Sequence, residues 1–269
     1  MEMNSSENIR RVTAANPGYM TLEGTNQYLL GKDEITVIDV ALESSSNINA
    51  ILEQAEAMGG KKIEKILLTH IHRDHTGGAL ALKKRCGAKI GIFRGRAGYL
   101  GGEDFVYGDG ETVTYDGGKL LVVHTPGHES GHCCFLEPEE QFLFTGDHIL
   151  GRGTTVIPPG DGDNMTLYLQ SLEKLVPLKM RRMLPGHGPA IEDPYGKVKE
   201  YIEHRKSREK EILAALQDGL RSVPAVTERI YTGYPSALLS PAQRSVEAHL
   251  IKLVREGRVR QAGNQYFVR

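Results

Sequence analysis

No run of about 20 apolar residues occurs anywhere in the 269-residue sequence, which excludes a transmembrane helix. Net charge is nearly missing as well. The 33 Lys and Arg stand against 34 Asp and Glu, leaving a formal charge of -1, so no general electrostatic attraction to nucleic acid or anionic membrane is expected. Cysteine is scarce and odd in number: Cys86, Cys133 and Cys134, the last two adjacent and hard to bridge. No disulfide framework is expected. Tryptophan is absent, and neither an RNP-like aromatic pair nor an Arg-rich loop occurs, so these marks of an RNA-reading surface are lacking. The opening MEMNSSENIRR is polar and has no apolar signal core, which points to the cytoplasm.

What is present begins with enough chain for a large core, as one extended domain or a main domain with a small one. The charge is uneven. Residues 196–269 carry 14 Lys and Arg against eight Asp and Glu, a net of +6, so the remainder carries -7. With Pro194 and Gly196 beside it, that shift puts a domain boundary near residue 195. Before it, TNQYLLG and ITVIDV read as strands joined by a GKDE hairpin turn, and a helix is predicted over 46–59. KIEKILLTH and AKIGIF read as strands flanking a helix over 77–86, and KLLVVHTPG, HCCFLEPE and QFLFTG as three further strands. Strands joined by both hairpins and helices indicate an α/β protein with mixed sheets. NMTLYLQSLEKLV (164–176) is an amphipathic helix with Asp163 or Asn164 as its N-cap. Beyond the boundary, helices are predicted over about 197–217, 222–232 and 240–257, the last capped by Ser240 with Pro241 in its first turn. A two-stranded ribbon turning at GN then completes the outline of a winged-helix module.

The most unusual stretch is LLTHIHRDHTGG, residues 67–78. His70 and His72 leave a strand end two residues apart and can face one way, while Asp74 and His75 follow as the chain turns into a helix. Gly77 and Gly78 permit tight packing there. Four nitrogen or oxygen donors at a strand's carboxyl end make a metal site, and their close spacing suits two neighbouring ions better than one tetrahedral ion. Other strand ends offer further donors: His128 after HTPG, Asp147 after FLFTG and His187 in MLPGHG.

Together these segments resemble the metallo-β-lactamase fold superfamily. THIHRDHTGG is similar to its T-H-x-H-x-D-H-x-G-G motif, Asp39 in VIDVA to its early strand-end aspartate, and HTPGH, TGD and PGHG to its later metal-binding segments, in the same order. The resemblance covers residues 12–190. It implies an αββα sandwich as residues 1–195, followed by a small helical, winged-helix-like domain as residues 196–269. It also implies two Zn2+ per chain, with iron or manganese as alternatives. His70, His72 and His128 would hold the first ion, Asp74, His75 and His187 the second, and Asp147 would bridge them. Asp74 and Asp147 would be the catalytic carboxylates, and Asp39 would orient histidines or backbone groups rather than bind metal. His124 and His132 are set aside as ligands, and His148 stays open as a hydrogen-bonding neighbour. Two Lewis acids roughly 3.5–4 Å apart can share a hydroxide at neutral pH, so hydrolysis is expected.

GTNQYLLG, GRGTTVIPPGDGDNMTLYLQSLEKL, HRKSREKEIL and the winged-helix-like tail resemble the subgroup that includes the animal mitochondrial β-lactamase-like endoribonuclease. Cleavage of single-stranded RNA is the activity this implies. Fungal thioesterases acting on carrier-bound polyketides share the domain plan, which makes thioester or ester hydrolysis the alternative. A mono-iron persulfide dioxygenase and a non-catalytic metal-binding scaffold are further alternatives. The plainer reading of the tail is a cap that shapes the pocket with Tyr231 or Tyr234. Arg73 and Arg152 lie near the metal-binding segments, either to meet an anionic substrate or as solvated charges. Cys133 and Cys134 read as strand residues rather than nucleophiles. No membrane partner is expected, and a homodimer is the assembly that relatives of this family suggest.

Overall fold

In the computed structural model, residues 8–160 and 164–269 are described. Asp163, one of the two residues expected to cap the helix at 164–176, lies outside them. The described residues form two compact units. The first runs to Thr125 and adds Gly131–Gly153 and Lys179–Pro194, whereas the second comprises Pro126–Ser130, Thr154–Leu178 and Tyr195–Arg269.

Two mixed sheets make up the first unit. One is six-stranded, in the order β1 (Ile9–Thr13), β2 (Asn26–Leu30), β3 (Glu34–Ile38), β4 (Lys62–Leu67), β5 (Lys89–Phe93) and β6 (Phe105–Tyr107). Its first three strands pair antiparallel and β3 to β6 pair parallel. The other is five-stranded. It contains β7 (Thr112–Tyr115), β8 (Gly118–His124), β9 (Cys133–Glu137), β10 (Phe142–Gly146) and β11 (Arg182–Pro185), in the order β11-β10-β9-β8-β7. Only β10 and β11 pair parallel.

Alternation along the strands explains how the layers form. Tyr28 and Leu30 of β2 join Ile38, Leu67, Val122, Phe135 and Phe144 in a core shared by the two sheets. Leu29, between them, points the opposite way, into a second core with Val37, Ile66, Ile90 and the apolar faces of helices α1 (Ser45–Ala57) and α3 (Ala79–Cys86). Each fully buried Leu or Ile contributes roughly 1.5–3 kcal/mol, so a slip of register that exchanged the two faces would be costly.

The helix expected over 77–86 is present as α3 and begins two residues later, at Ala79. A separate short turn, α2 (Arg73–Thr76), precedes it, with Gly77 and Gly78 between them. A Cβ on Gly78 would lie 2.3 Å from the Leu42 carbonyl oxygen, and one on Gly77 would lie 2.7 Å from that of Ala41. The glycine pair therefore lets the donor-bearing loop close against the turn after β3.

The second unit holds α4 (Asn164–Leu175), α5 (Pro194–Gln217), α6 (Val223–Ile230), α7 (Leu239–Arg255) and an antiparallel ribbon of β12 (Val259–Ala262) and β13 (Gln265–Val268). Ile212, Leu216, Val226, Val246, Leu250, Leu253, Val259 and Tyr266 form its core. Val246, Leu250 and Leu253 recur at helical spacing on α7, as an amphipathic helix requires. One boundary differs from expectation. A 3₁₀ turn at Ser236–Leu238 runs directly into α7, so Leu238 occupies the cap position and Ser240 lies inside the first turn. Among the described residues, no helix is long and apolar enough to cross a membrane.

Candidate metal centre

A group of histidines and aspartates of the first unit gathers beyond the carboxyl ends of its parallel strands, where open α/β sheets place their ligands. Asp39 directly follows β3, and Asp147 directly follows β10. His187 comes two residues after β11. His70 and His72 stand beyond β4, which ends at Leu67, so they sit on a loop and His72 occupies the cap of α2.

Asp39 organises this loop. It is buried and adopts φ 61°, a left-handed conformation that only a few non-glycine residues tolerate. Its Oδ1 accepts from the Thr69 N–H at 2.8 Å. Its Oδ2 accepts from the Thr69 hydroxyl at 2.8 Å and faces His75 Nδ1 at 2.7 Å. The Thr69 hydroxyl, having given its proton to Asp39, meets His70 Nδ1 at 3.0 Å as an acceptor. Both histidines are thus held with the proton on Nδ1 and a lone pair on Nε2. His187 reaches the same state by another route, because its Nδ1 faces the Gly24 carbonyl at 3.1 Å.

These tautomers direct the lone pairs inward. Asp74, His75, Asp147 and His187 each offer a ligand atom, and the four atoms lie within 4.8 Å of one another. His75 Nε2 is 3.3 Å from His187 Nε2, and each of these nitrogens is 3.3 Å from Asp147 Oδ1. His187 Nε2 is also 3.3 Å from Asp74 Oδ2. Two imidazole lone pairs and two carboxylates converging in a buried space repel one another unless a cation or protons lie among them. This donor set fits a divalent ion.

Protons compete for the same atoms. Burial works against a charged His75, yet Asp147 and Asp39 outweigh it and hold the imidazole well above its usual range. Burial likewise opposes protonation of His187, but Asp147 and Asp74 carry it up to about 9. Asp147 is held well below the usual carboxylate range. Its burial is overcome by His187 and His75. Asp74 is lowered too, His187 and His75 prevailing over burial and over the repulsion of Asp147.

Beside this group, His70 Nε2 lies 3.0 Å from His72 Nδ1, with the rings nearly perpendicular. His128 belongs to the second unit. There its Nδ1 faces the Val156 carbonyl at 2.8 Å and the Thr155 hydroxyl at 3.0 Å. The carbonyl can only accept, so His128 carries its proton on Nδ1 and its lone pair on Nε2.

Several supporting residues escaped the motif reading. Asn26 Nδ2 donates to the carbonyls of Pro185 and Gly188, both at 2.9 Å, and its N–H donates to Gly186. The Tyr28 hydroxyl donates to Pro185 as well, so β2 clamps the loop that carries His187. Gln27 accepts from the Ala41 N–H and pairs with Asn47, which fixes the turn after Asp39. The available signal was T-N-Q at the head of an apolar strand, because buried polar side chains need partners. His132 is buried, donates from Nδ1 to the Thr125 hydroxyl at 2.8 Å, and through Nε2 accepts the Asp147 N–H at 3.1 Å. It positions the Asp147 turn. His124 stacks on Phe93, His148 is fully buried near His132, and Cys133 and Cys134 are buried in β9. Arg152 forms an exposed ion pair with Glu23. Arg73 lines a cleft of about 420 Å³ with Ala41, Leu42, Glu43, Asp74 and Gly77.

An α/β fold with this donor set at its strand ends defines a metal-dependent hydrolase. Comparison with known proteins agrees. The metallo-beta-lactamase superfamily model matches residues 20–187, and the beta-lactamase associated winged helix domain model matches residues 222–266. The chain is 37% identical over 261 residues to the Beta-lactamase-like protein 2 homolog of Caenorhabditis elegans, covering 94% of this chain and 86% of that protein. It is 34% identical over 224 residues to the atrochrysone carboxyl ACP thioesterase of Aspergillus fumigatus, covering 79% of this chain and 66% of that enzyme. A metallo-beta-lactamase family protein from Thermus thermophilus shares the fold, with a TM-score of 0.82 at 24% identity over 97% of this chain and 99% of the other. The protein belongs to the metallo-β-lactamase superfamily and carries that family's sandwich with its winged-helix-like companion.

Proposed function

We propose that the protein is a dinuclear zinc enzyme that hydrolyses a thioester or ester of a small or carrier-bound acyl substrate. Similarity to the Aspergillus acyl-carrier thioesterase carries this reading, since its name states a reaction that the present donor set can support. In this reading, residues 1–195 are the catalytic domain and 196–269 the winged-helix-like domain. His70, His72 and His128 would hold one ion and Asp74, His75 and His187 the other, with Asp147 shared by the two and iron or manganese as alternative metals. Such ions supply Lewis acidity and a water ionised near neutral pH. Water adds to the acyl carbon, the C–S or C–O bond breaks, and the departing thiol or alcohol takes up a proton.

The chain's own residues orient the reactants. Asp39 fixes the tautomers of His75 and, through Thr69, His70. Asp74 stays ionised and borders the cleft, where its carboxylate would accept a hydrogen bond from the attacking water. Ala41, Leu42 and Gly77 line that cleft beside the charged Glu43, Arg73 and Asp74, which would set an acyl chain on an apolar wall next to the reacting group. The cytoplasm remains the proposed compartment, in keeping with three free thiols.

Cleavage of single-stranded RNA is the second reading, favoured by the net +6 of residues 196–269. Pairing within that segment weakens it. Lys197, Lys199, Arg208, Lys252 and Arg258 each face a carboxylate. Parallel assays of one preparation on an acyl-thioester and on fluorescent single-stranded RNA, with Asp74→Ala as the blank, test the proposal. Thioester turnover abolished in the variant is expected. RNA cleavage without thioester turnover would transfer the assignment to the nuclease reading. Neither activity, with bound iron, would point to persulfide oxidation, and neither activity with any other metal would leave a binding scaffold.

A further inference from the structure

The segment Thr155–Val156–Ile157 lies outside any helix or strand, yet Thr155 and Ile157 are buried, so its backbone groups must find partners inside the protein. They find them on three different elements of the second unit. The Thr155 carbonyl accepts from Arg205 Nη2 of α5 at 2.6 Å. The Val156 carbonyl accepts from His128 Nδ1 at 2.8 Å. The Ile157 N–H donates to Ser245 Oγ of α7 at 3.2 Å. The Thr155 hydroxyl meets the same His128 nitrogen at 3.0 Å.

Arg205 is 2% exposed, and its guanidinium lies over the Tyr168 ring of α4, 5.2 Å from the centroid. Tyr168 in turn packs against the turn that bears His128, where a Cβ on Gly127 would sit 2.4 Å from Tyr168 Cβ. Ser171 of α4 also donates to the Pro126 carbonyl at 2.8 Å. The His128 turn is therefore seated on α4, while the imidazole is aimed by a strap whose two ends are pinned by α5 and α7.

A buried arginine is an expensive way to satisfy one carbonyl. Arg205 does more here, because the peptide it grips is the one that joins Thr155 to Val156. Displacing that peptide moves both groups that contact His128 Nδ1. Those contacts set the tautomer and direction of the ring, and with them the lone pair on Nε2.

We propose that Arg205, with Ser245, is a positioning residue of the metal centre: the winged-helix-like helices hold the 155–157 strap, and the strap aims His128 at its ion. The inference rests on the reading of His128 as a ligand. It makes the C-terminal helices a working part of metal binding rather than an attached module.

Co2+ binding to the full-length metal-depleted protein, followed by competition with a chromophoric chelator, resolves the affinities of the two ions. Arg205→Met is expected to weaken one ion by about 10–100-fold and to leave the other within about twofold. Arg205→Lys regains part of the loss, because an ammonium can still donate to the Thr155 carbonyl. Leu250→Ala, a core truncation in α7 away from the strap, lowers Tm but leaves both affinities in place. Unchanged affinities in Arg205→Met would overturn the proposal. So would an equal, selective loss in Leu250→Ala, which would reduce the effect to general destabilisation. Should Arg205→Met fail to fold, Ser245→Ala carries the test, with a smaller loss expected at the same ion and no loss counting against the strap. His128→Ala separates the two levels of the argument. If it keeps both ions, the ligand reading itself fails. If it loses one while the Arg205 and Ser245 variants lose none, the strap alone fails.

Discussion

Asp39 shows how much a single carboxylate can arrange. It accepts two hydrogen bonds from Thr69 and one from His75, and it thereby fixes two imidazole tautomers while remaining outside the group of converging donors. Asp39→Asn removes the charge and turns one acceptor into a donor facing His75. Metal affinity, read by chelator competition, is expected to fall about 10–100-fold while the folded state persists by circular dichroism. His187 gives a prediction in pH. Its folded-state pKa, about 9, lies above the ordinary imidazole value of roughly 6.5. In the metal-free protein its contribution to stability is therefore fully present below pH about 6.5 and disappears as pH rises toward 9. Asp147 acts in the opposite sense, stabilising above the ordinary carboxylate range and losing that effect as acid protonates it. Thermal melts of chelator-treated protein should show Tm declining between pH about 6.5 and 9, whereas metal affinity rises across the same window. A flat Tm would contradict the coupling of His187 to its carboxylates.

At the scale of elements, the site depends on loops held by strands. Asn26 of β2 donates to two carbonyls of the PGHG loop, so Asn26→Ala leaves both without that donor. Pro185 keeps the Tyr28 donor, so a loss of about 1–3 kcal/mol, that of one unsatisfied buried group, is expected in urea unfolding, with weakened metal binding. Gly186 admits no side chain. A Cβ there would stand 2.7 Å from His75 Cε1 and 2.9 Å from Asp147 Oδ1, so Gly186→Ala is expected to reduce metal content by more than it reduces Tm. What could be read from the sequence follows the same division. Donor-bearing segments were legible because they come soon after apolar strands and carry glycines beside the donors. Strands β2, β3, β9 and β10 were legible because their burial is continuous or nearly so. β1, IRRVT, was not, because its two arginines blur the alternation, and β6 and β7 are only three and four residues long. The start of α7 was misplaced because the 3₁₀ turn before it removes the need for a serine cap. Asn26, His132 and Arg205 could not be assigned roles from sequence, because their partners lie 159, 15 and 50 residues away. Only tertiary register brings those groups together.

For the whole molecule, everything rests on the proposed dinuclear centre, in which seven side chains that follow four strands would hold two metal ions. The substrate, the role of Asp39 and the strap from Arg205 all presuppose it. Elemental analysis of purified, zinc-supplemented protein, beside Asp147→Ala prepared identically, tests it most directly. About two ions per wild-type chain are expected, with a clear loss in the variant, whose missing carboxylate is the proposed link between the ions. A single ion or none in the wild type, or two retained without Asp147, would contradict the dinuclear centre.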